Sequence, residues 1–160
     1  MAKEIKTNAM RILDKEGINY KINLYRCDDF IDAVHIAEML CQPYESSFKT
    51  LVASGKTGEH YVFCLPIARE LDLKAAAKVV GEKSVELIPV KDIAKITGYI
   101  RGGCTPLGMK KRFKTVIDSS ALAFSEIIIS GGKIGAQIII DPKALAKIIN
   151  AEFQNIIMET

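Results

Sequence analysis

Histidine is scarce in this chain. The only two are His35, in a stretch with helical spacing, and His60, at the edge of a strand pattern. Serine–histidine and cysteine–histidine nucleophile systems need a base that is itself oriented by a third group. Neither histidine sits in such a pattern, so no catalytic triad and no metal site is expected. Cysteine is also sparse: Cys27, Cys41, Cys64 and Cys104 lie far apart without a CxxC pair. That spacing excludes a zinc ribbon or a disulfide framework and leaves reduced thiols as the expectation. Proline occurs five times and 49% of residues are hydrophobic, which excludes disordered and collagenous chains. No apolar run reaches membrane-spanning length, and the opening MAKEIKTNAM is charged without an apolar stretch. A soluble, untargeted, cytoplasmic protein is therefore expected. There is no internal repeat.

What is present fits one domain over residues 1–160, long enough to bury roughly two thirds of its unfolded surface. Ile5, Ala9, Ile12 and Leu13 share one helical face, closed by Gly17. Residues 18–25 alternate as a half-buried strand does, with Ile18, Tyr20, Ile22 and Leu24 on one side. Ala33, Ala37, Leu40 and Cys41 return to helical spacing until Pro43. Residues 46–54 and 59–66 read as a hairpin. In its first strand Phe48, Thr50 and Val52 share one face, and Lys49, Leu51 and Ala53 the other. Asp72 caps a helix over 73–80 that ends at Gly81. A strand at 85–88, a helix at 89–97, strands at 115–118, 126–130 and 135–140, and a last helix capped by Asp141 with Pro142 at its first position complete the order. Strands and helices intermix with antiparallel hairpins. The expected class is α+β, a curved mixed, largely antiparallel sheet or barrel flanked by helices.

The formal charge of +3 says little alone, but its distribution says more. Arg101, Lys110, Lys111, Arg112 and Lys114 crowd a segment that holds no Asp or Glu and that contains Gly98, Gly102, Gly103 and Gly108. Gly103 to Lys110 spells GxxxxGxK, one residue out of step with a P-loop and without the following Ser or Thr, so nucleotide hydrolysis is not expected. Glycine-rich backbone beside cations still suits an anion. A solvated charge run accounts equally for KKRFK taken alone. Lys49 either snorkels to water or holds an effective positive charge in a low-dielectric cleft. Cys104 reads as a packing residue or a reactive thiol. Tyr25 and Tyr99 either stack on a base or pack in the core.

Several stretches together resemble the YbaK/EbsC family of aminoacyl-tRNA editing proteins, in particular its Cys-tRNA(Pro) deacylase branch. They are Phe48-Lys49-Thr50-Leu51, Leu71-Asp72-Leu73-Lys74, Thr97-Gly98-Tyr99 with Gly102-Gly103 and Pro106-Leu107-Gly108, and Ile129-Ser130-Gly131-Gly132-Lys133 with Gly135. The resemblance implies release of a wrongly attached small amino acid from the 3′ end of tRNA. It makes Lys49 the essential lysine, places Tyr25, Phe30, Thr50, Tyr99, Gly102, Ser130, Gly132 and Gln137 around the substrate, and leaves the basic residues for tRNA. That branch carries an aspartate where this chain has Gln137, so alanine or another small residue is an alternative substrate. A non-catalytic module binding tRNA or a synthetase is the alternative from another class. No cofactor is implied, and a prolyl- or cysteinyl-tRNA synthetase is the implied partner. In the branch mechanism no protein nucleophile is needed, because the substrate's own thiol attacks its ester.

Overall fold

Thr7 opens the first helix: its hydroxyl accepts the Met10 N–H at 3.2 Å. Helix α1 (Asn8–Lys15) then buries Ala9, Met10 and Leu13, while Ile12 packs half-buried at the margin of the core. The computed structural model describes residues 6–27 and 29–159, and Ile5, expected on this helix, lies outside them.

Two sheets follow. Strands β1 (Lys21–Leu24), β6 (Ile127–Ser130) and β7 (Ala136–Ile140) form an antiparallel sheet in the order β1-β7-β6. Strands β2 (Phe48–Gly55), β3 (His60–Pro66), β4 (Val85–Leu87), β5 (Lys114–Asp118) and β8 (Glu152–Gln154) form the second, in the order β4-β2-β3-β5-β8. Its first three strands are antiparallel; β5 and β8 add in parallel. The sheets meet where Ile128 N–H donates to the Ser46 carbonyl at 2.8 Å and Ser47 bridges Ile128. The α+β class with a mixed, largely antiparallel arrangement is as expected, although the described residues form two joined sheets and no single closed barrel.

Helices cover both faces of the larger sheet, and its core is accordingly double. Phe48, Val52, Val62 and Cys64 face a cluster shared with the smaller sheet, α1 and α5 (Pro142–Ile149). Ala53, Tyr61, Phe63 and Leu65 face a second cluster closed by Ala76 and Ala77 of α3 (Leu73–Val80). This explains why β3 is buried along nearly its whole length and reads as a continuous apolar run.

Several elements differ from expectation. Helix α2 (Ala33–Met39) ends before Cys41, which turns at φ +55° and is exposed. The stretch at 89–97 splits into a 3-10 turn, Val90–Asp92, and a short α4 (Ile93–Thr97). Leu24 stands 57% exposed at the end of β1. Strand β8 was not expected; its three residues carry too little pattern to be seen.

Candidate active site

The smaller sheet has one face in the core and one outside. Ala136, Ile138 and Ile140 of β7 point inward, so Gln137 and Ile139 point outward. Against that outer face, between α2, the segment 101–104 and the edge of β2, lies a cavity of about 440 Å³.

The edge of β2 is open for a structural reason. Gly55 N–H bonds Glu59 C=O, so the odd-numbered residues of β2 direct their backbone groups toward β3 and the even-numbered ones toward the opposite edge. On that edge Ser46 is taken by Ile128 and Val52 C=O accepts Ile88 N–H at 3.0 Å. Among the described residues no strand pairs with Lys49–Leu51 there. The backbone of Thr50 therefore faces the cavity.

Lys49 lines this cavity, half-buried, and its ammonium donates to the Ile67 carbonyl at 3.2 Å. Burial pulls its pKa below the usual lysine value, and the Glu70 charge opposes that only in part. A cation already stripped of part of its water is electrostatically strong toward an incoming anion. On the opposite face of the strand, the Thr50 hydroxyl lies 3.8 Å from Cys64 Sγ. Ser130 lines the cavity from β6, and its hydroxyl oxygen accepts Gly132 N–H at 3.2 Å. A hydroxyl that accepts one hydrogen bond keeps its own proton to donate.

Two glycine-rich turns reach the site together. A Cβ on Gly102, which has φ +86°, would sit 3.0 Å from the Phe30 ring. One on Gly103 would meet Lys133 Cα at 2.9 Å, so the backbone of 102–103 lies directly on the β6–β7 turn. The Arg101 guanidinium stacks on Phe30 at 4.2 Å from the ring centre, and both line the cavity. Tyr25 lines it too, its hydroxyl pushed up by burial against a Gly135 backbone hydrogen bond that lowers it.

The cavity thus gathers Tyr25, Phe30, Lys49, Thr50, Arg101, Gly102, Ser130 and Gln137. Tyr99 and Gly132 are placed beside each other but are not among its lining residues. The Tyr99 hydroxyl donates to Leu107 C=O, and burial pushes it up to about 12. Neither do Lys110, Lys111, Arg112 and Lys114 line it. Lys110 donates to Lys95 C=O at 3.4 Å, Arg112 to Ile148 C=O at the end of α5 at 3.2 Å, and Lys114 pairs with Glu152 at 3.7 Å. Lys111 and Arg112 line a separate cavity of about 210 Å³ with Phe113 and Ile148. Cys104 does line the main cavity, yet burial lifts its thiol to about 11, which keeps it protonated and weakly nucleophilic. His35 is engaged by Asp32 at 2.6 Å on the exposed start of α2. No group of three or more metal-ligating side chains occurs among the described residues, and no helix among them is long and apolar enough to cross a membrane.

Sequence reasoning missed Gln42, Asp32 and the apolar wall formed by Ile36, Leu87 and Val90. Asp32 carries the signal of a helix cap and the others none; the fold brings α2, β4 and the turn after it around the edge of β2.

Comparison with known proteins bears on this geometry. A family model described as an aminoacyl-tRNA editing domain matches residues 30–148. A protein of Enterococcus faecalis, EbsC, which carries the provisional name of a Cys-tRNA(Pro)/Cys-tRNA(Cys) deacylase, is 42% identical over 152 residues, spanning 94% of this chain and 93% of its own. Two crystal structures share the fold. One, of a hypothetical protein, superposes with a TM-score of 0.87 at 18% identity over 95% of this chain and all of that one. The other, provisionally named a trans-editing enzyme for prolyl tRNA synthetase, superposes with a TM-score of 0.82 at 22% identity over 98% of this chain and all of that one.

Proposed function

This chain belongs to the family of aminoacyl-tRNA editing domains, and we propose that it is a trans-acting deacylase that removes cysteine from mischarged tRNA(Pro), and also from Cys-tRNA(Cys). The observation that carries this reading is the meeting of Lys49, Thr50, Gly102 and Ser130 at one cavity whose lining holds no activated protein nucleophile. A site of that kind suits a substrate that brings its own nucleophile. The cysteine sulfur attacks its ester carbonyl carbon, the bond to the ribose oxygen breaks, and that oxygen leaves with a proton as the free 3′ end of tRNA. The product is a four-membered thiolactone, which water opens to cysteine.

The chain's own contribution is placement and charge. Proximity of sulfur and carbonyl is worth up to about 7–11 kcal/mol when well oriented. Lys49 holds the ribose and terminal phosphate region and supports negative charge on the leaving oxygen. Ser130, with its oxygen already occupied by Gly132 N–H, donates to the substrate carbonyl. Arg101 and Phe30 wall the mouth of the cavity, while Tyr99 and Gly132 support the turns behind it. Lys110, Lys111, Arg112 and Lys114 contact tRNA phosphates outside the cavity, and a prolyl- or cysteinyl-tRNA synthetase is the partner that delivers the tRNA.

Incubation of the purified protein with Cys-tRNA(Pro), Cys-tRNA(Cys) and Ala-tRNA(Pro) tests the reading. Loss of the cysteinyl ester with retention of the alanyl ester is expected. Unchanged charging of all three substrates would sink it, and loss of the alanyl ester alone would move the activity to alanine.

A further inference from the structure

Three amides converge on the outer face of the smaller sheet. Asn23 of β1 is the cross-strand partner of Gln137 in β7, and Gln137 that of Ser130 in β6. The pleat therefore lines up the three side chains in one row. Gln42, just beyond α2, joins the row from above. Gln137 Oε1 accepts from Asn23 Nδ2 at 2.9 Å and from Gln42 Nε2 at 2.7 Å, while Gln137 Nε2 donates to Gln42 Oε1 at 3.0 Å. Gln42 and Gln137 thus form a closed, reciprocal amide pair, with Asn23 locking its orientation.

An amide oxygen accepts twice, so Gln137 Oε1 is filled. What the pair retains is one N–H on each glutamine and one lone pair on Gln42 Oε1, a neutral face richer in donors than in acceptors. Gln137 is only 8% exposed, yet both glutamines line the cavity. The carboxylate on the same wall, Asp32, is occupied by the backbone and ring of His35. Whatever small group rests on this face is read by N–H donors shielded from bulk water, and an apolar group there leaves them unpaired.

We propose that the Gln42–Gln137 amide pair, held by Asn23, reads the side chain of the bound aminoacyl group, favouring a small neutral side chain that ends in a hydrogen-bond acceptor, the sulfur of cysteine, over a methyl group of the same size. This rests on the editing function proposed above. Gln42 and Gln137 act by direct contact, and Asn23 is a positioning residue.

The test uses two amide-linked compounds that resist deacylation, 3′-cysteinylamino-3′-deoxyadenosine and its 2-aminobutyryl counterpart, which replaces S–H by a methyl group. Titration calorimetry with the wild-type protein is expected to favour the cysteinyl compound by about five- to tenfold, the size of one modest hydrogen bond. Gln42→Met, of similar volume, is expected to bring the two affinities together by weakening only the cysteinyl compound. Asn23→Ala, behind the cavity wall and not among its lining residues, is expected to narrow the preference without abolishing 2-aminobutyryl binding. Equal affinities in the wild type, or a preference unchanged in both variants, would overturn the inference while leaving the editing function intact. Binding of neither compound would overturn both.

Discussion

Replacing Lys49 by methionine separates the demands of the fold from those of the reaction. Methionine keeps the length of the side chain and removes its charge. In the folded protein the ammonium is half-buried, holds one carbonyl at 3.2 Å and has a pKa depressed by burial. Its loss removes a hydrogen bond worth about 1 kcal/mol and also the desolvation penalty that opposes it. Stability should change by less than about 1 kcal/mol, within the range of ordinary substitutions. The reaction should respond far more. A unit charge about 4 Å from a developing oxyanion contributes about 4 kcal/mol in an effective dielectric near 20. Screening and residual water reduce that, so a fall in kcat/KM of roughly a hundred- to a thousandfold is expected. Radiolabelled Cys-tRNA(Pro) deacylation measures the second quantity and urea unfolding the first. The depressed pKa also fixes the sign of a pH effect. The unfolded chain keeps this proton to higher pH than the fold does, so Lys49's contribution to stability rises as pH climbs from its folded value toward the usual 10.5. The same depression lets activity decline on the alkaline side before that pH. A Lys49→Met protein that is less stable by more than about 2 kcal/mol and fully active would refute the reasoning and make Lys49 a structural residue.

Two further outcomes follow from packing. Gly103→Ala forces a methyl group onto the Lys133 backbone at 2.9 Å, where no side chain can swing away. A loss of about 1–3 kcal/mol by urea unfolding is expected, with lower kcat/KM because Gly102 lines the cavity; an unchanged unfolding midpoint would show that the turns part freely. Cys104→Ala should leave turnover near that of the wild type, and its abolition would assign the thiol a catalytic part. Because the fold raises this thiol from 9.0 to about 11, the stability it confers is complete below pH 9 and is lost as pH rises to about 11. That difference is about 3 kcal/mol, and Cys104→Ala should flatten the decline in unfolding free energy over that window by a comparable amount.

Much of the fold was legible because local chemistry and tertiary need agree. Asp72 and Asp141 cap helices where their positions suggest, Asp72 accepting the N–H groups of Lys74 and Ala75 and Asp141 that of Lys143, and the β2–β3 and β6–β7 hairpins pair across the glycine turns. The site was half legible. Lys49 stood out as a cation on an apolar strand, and Gly102 and Ser130 as parts of glycine-rich segments. Gln42 and Asn23 were invisible because their meaning lies in a cross-strand register and a helix end that sequence spacing does not encode. Tyr99 shows the converse: an aromatic residue beside a glycine loop reads as a binding wall, whereas its half-buried hydroxyl donates to Leu107 C=O. The basic run is divided among a helix end, a carbonyl and a glutamate, connections that composition cannot report.

The interrupted margin of β2 has a consequence for how copies of this protein behave toward one another. Exposed backbone at a sheet margin is a template on which foreign chains assemble. Here, among the described residues, it narrows to Thr50, with Ile128 paired on one side of it and Ile88 on the other. An intruding strand would find a single rung between two stops. The protein can thus keep a peptide group turned toward a small visitor without becoming adhesive to its neighbours.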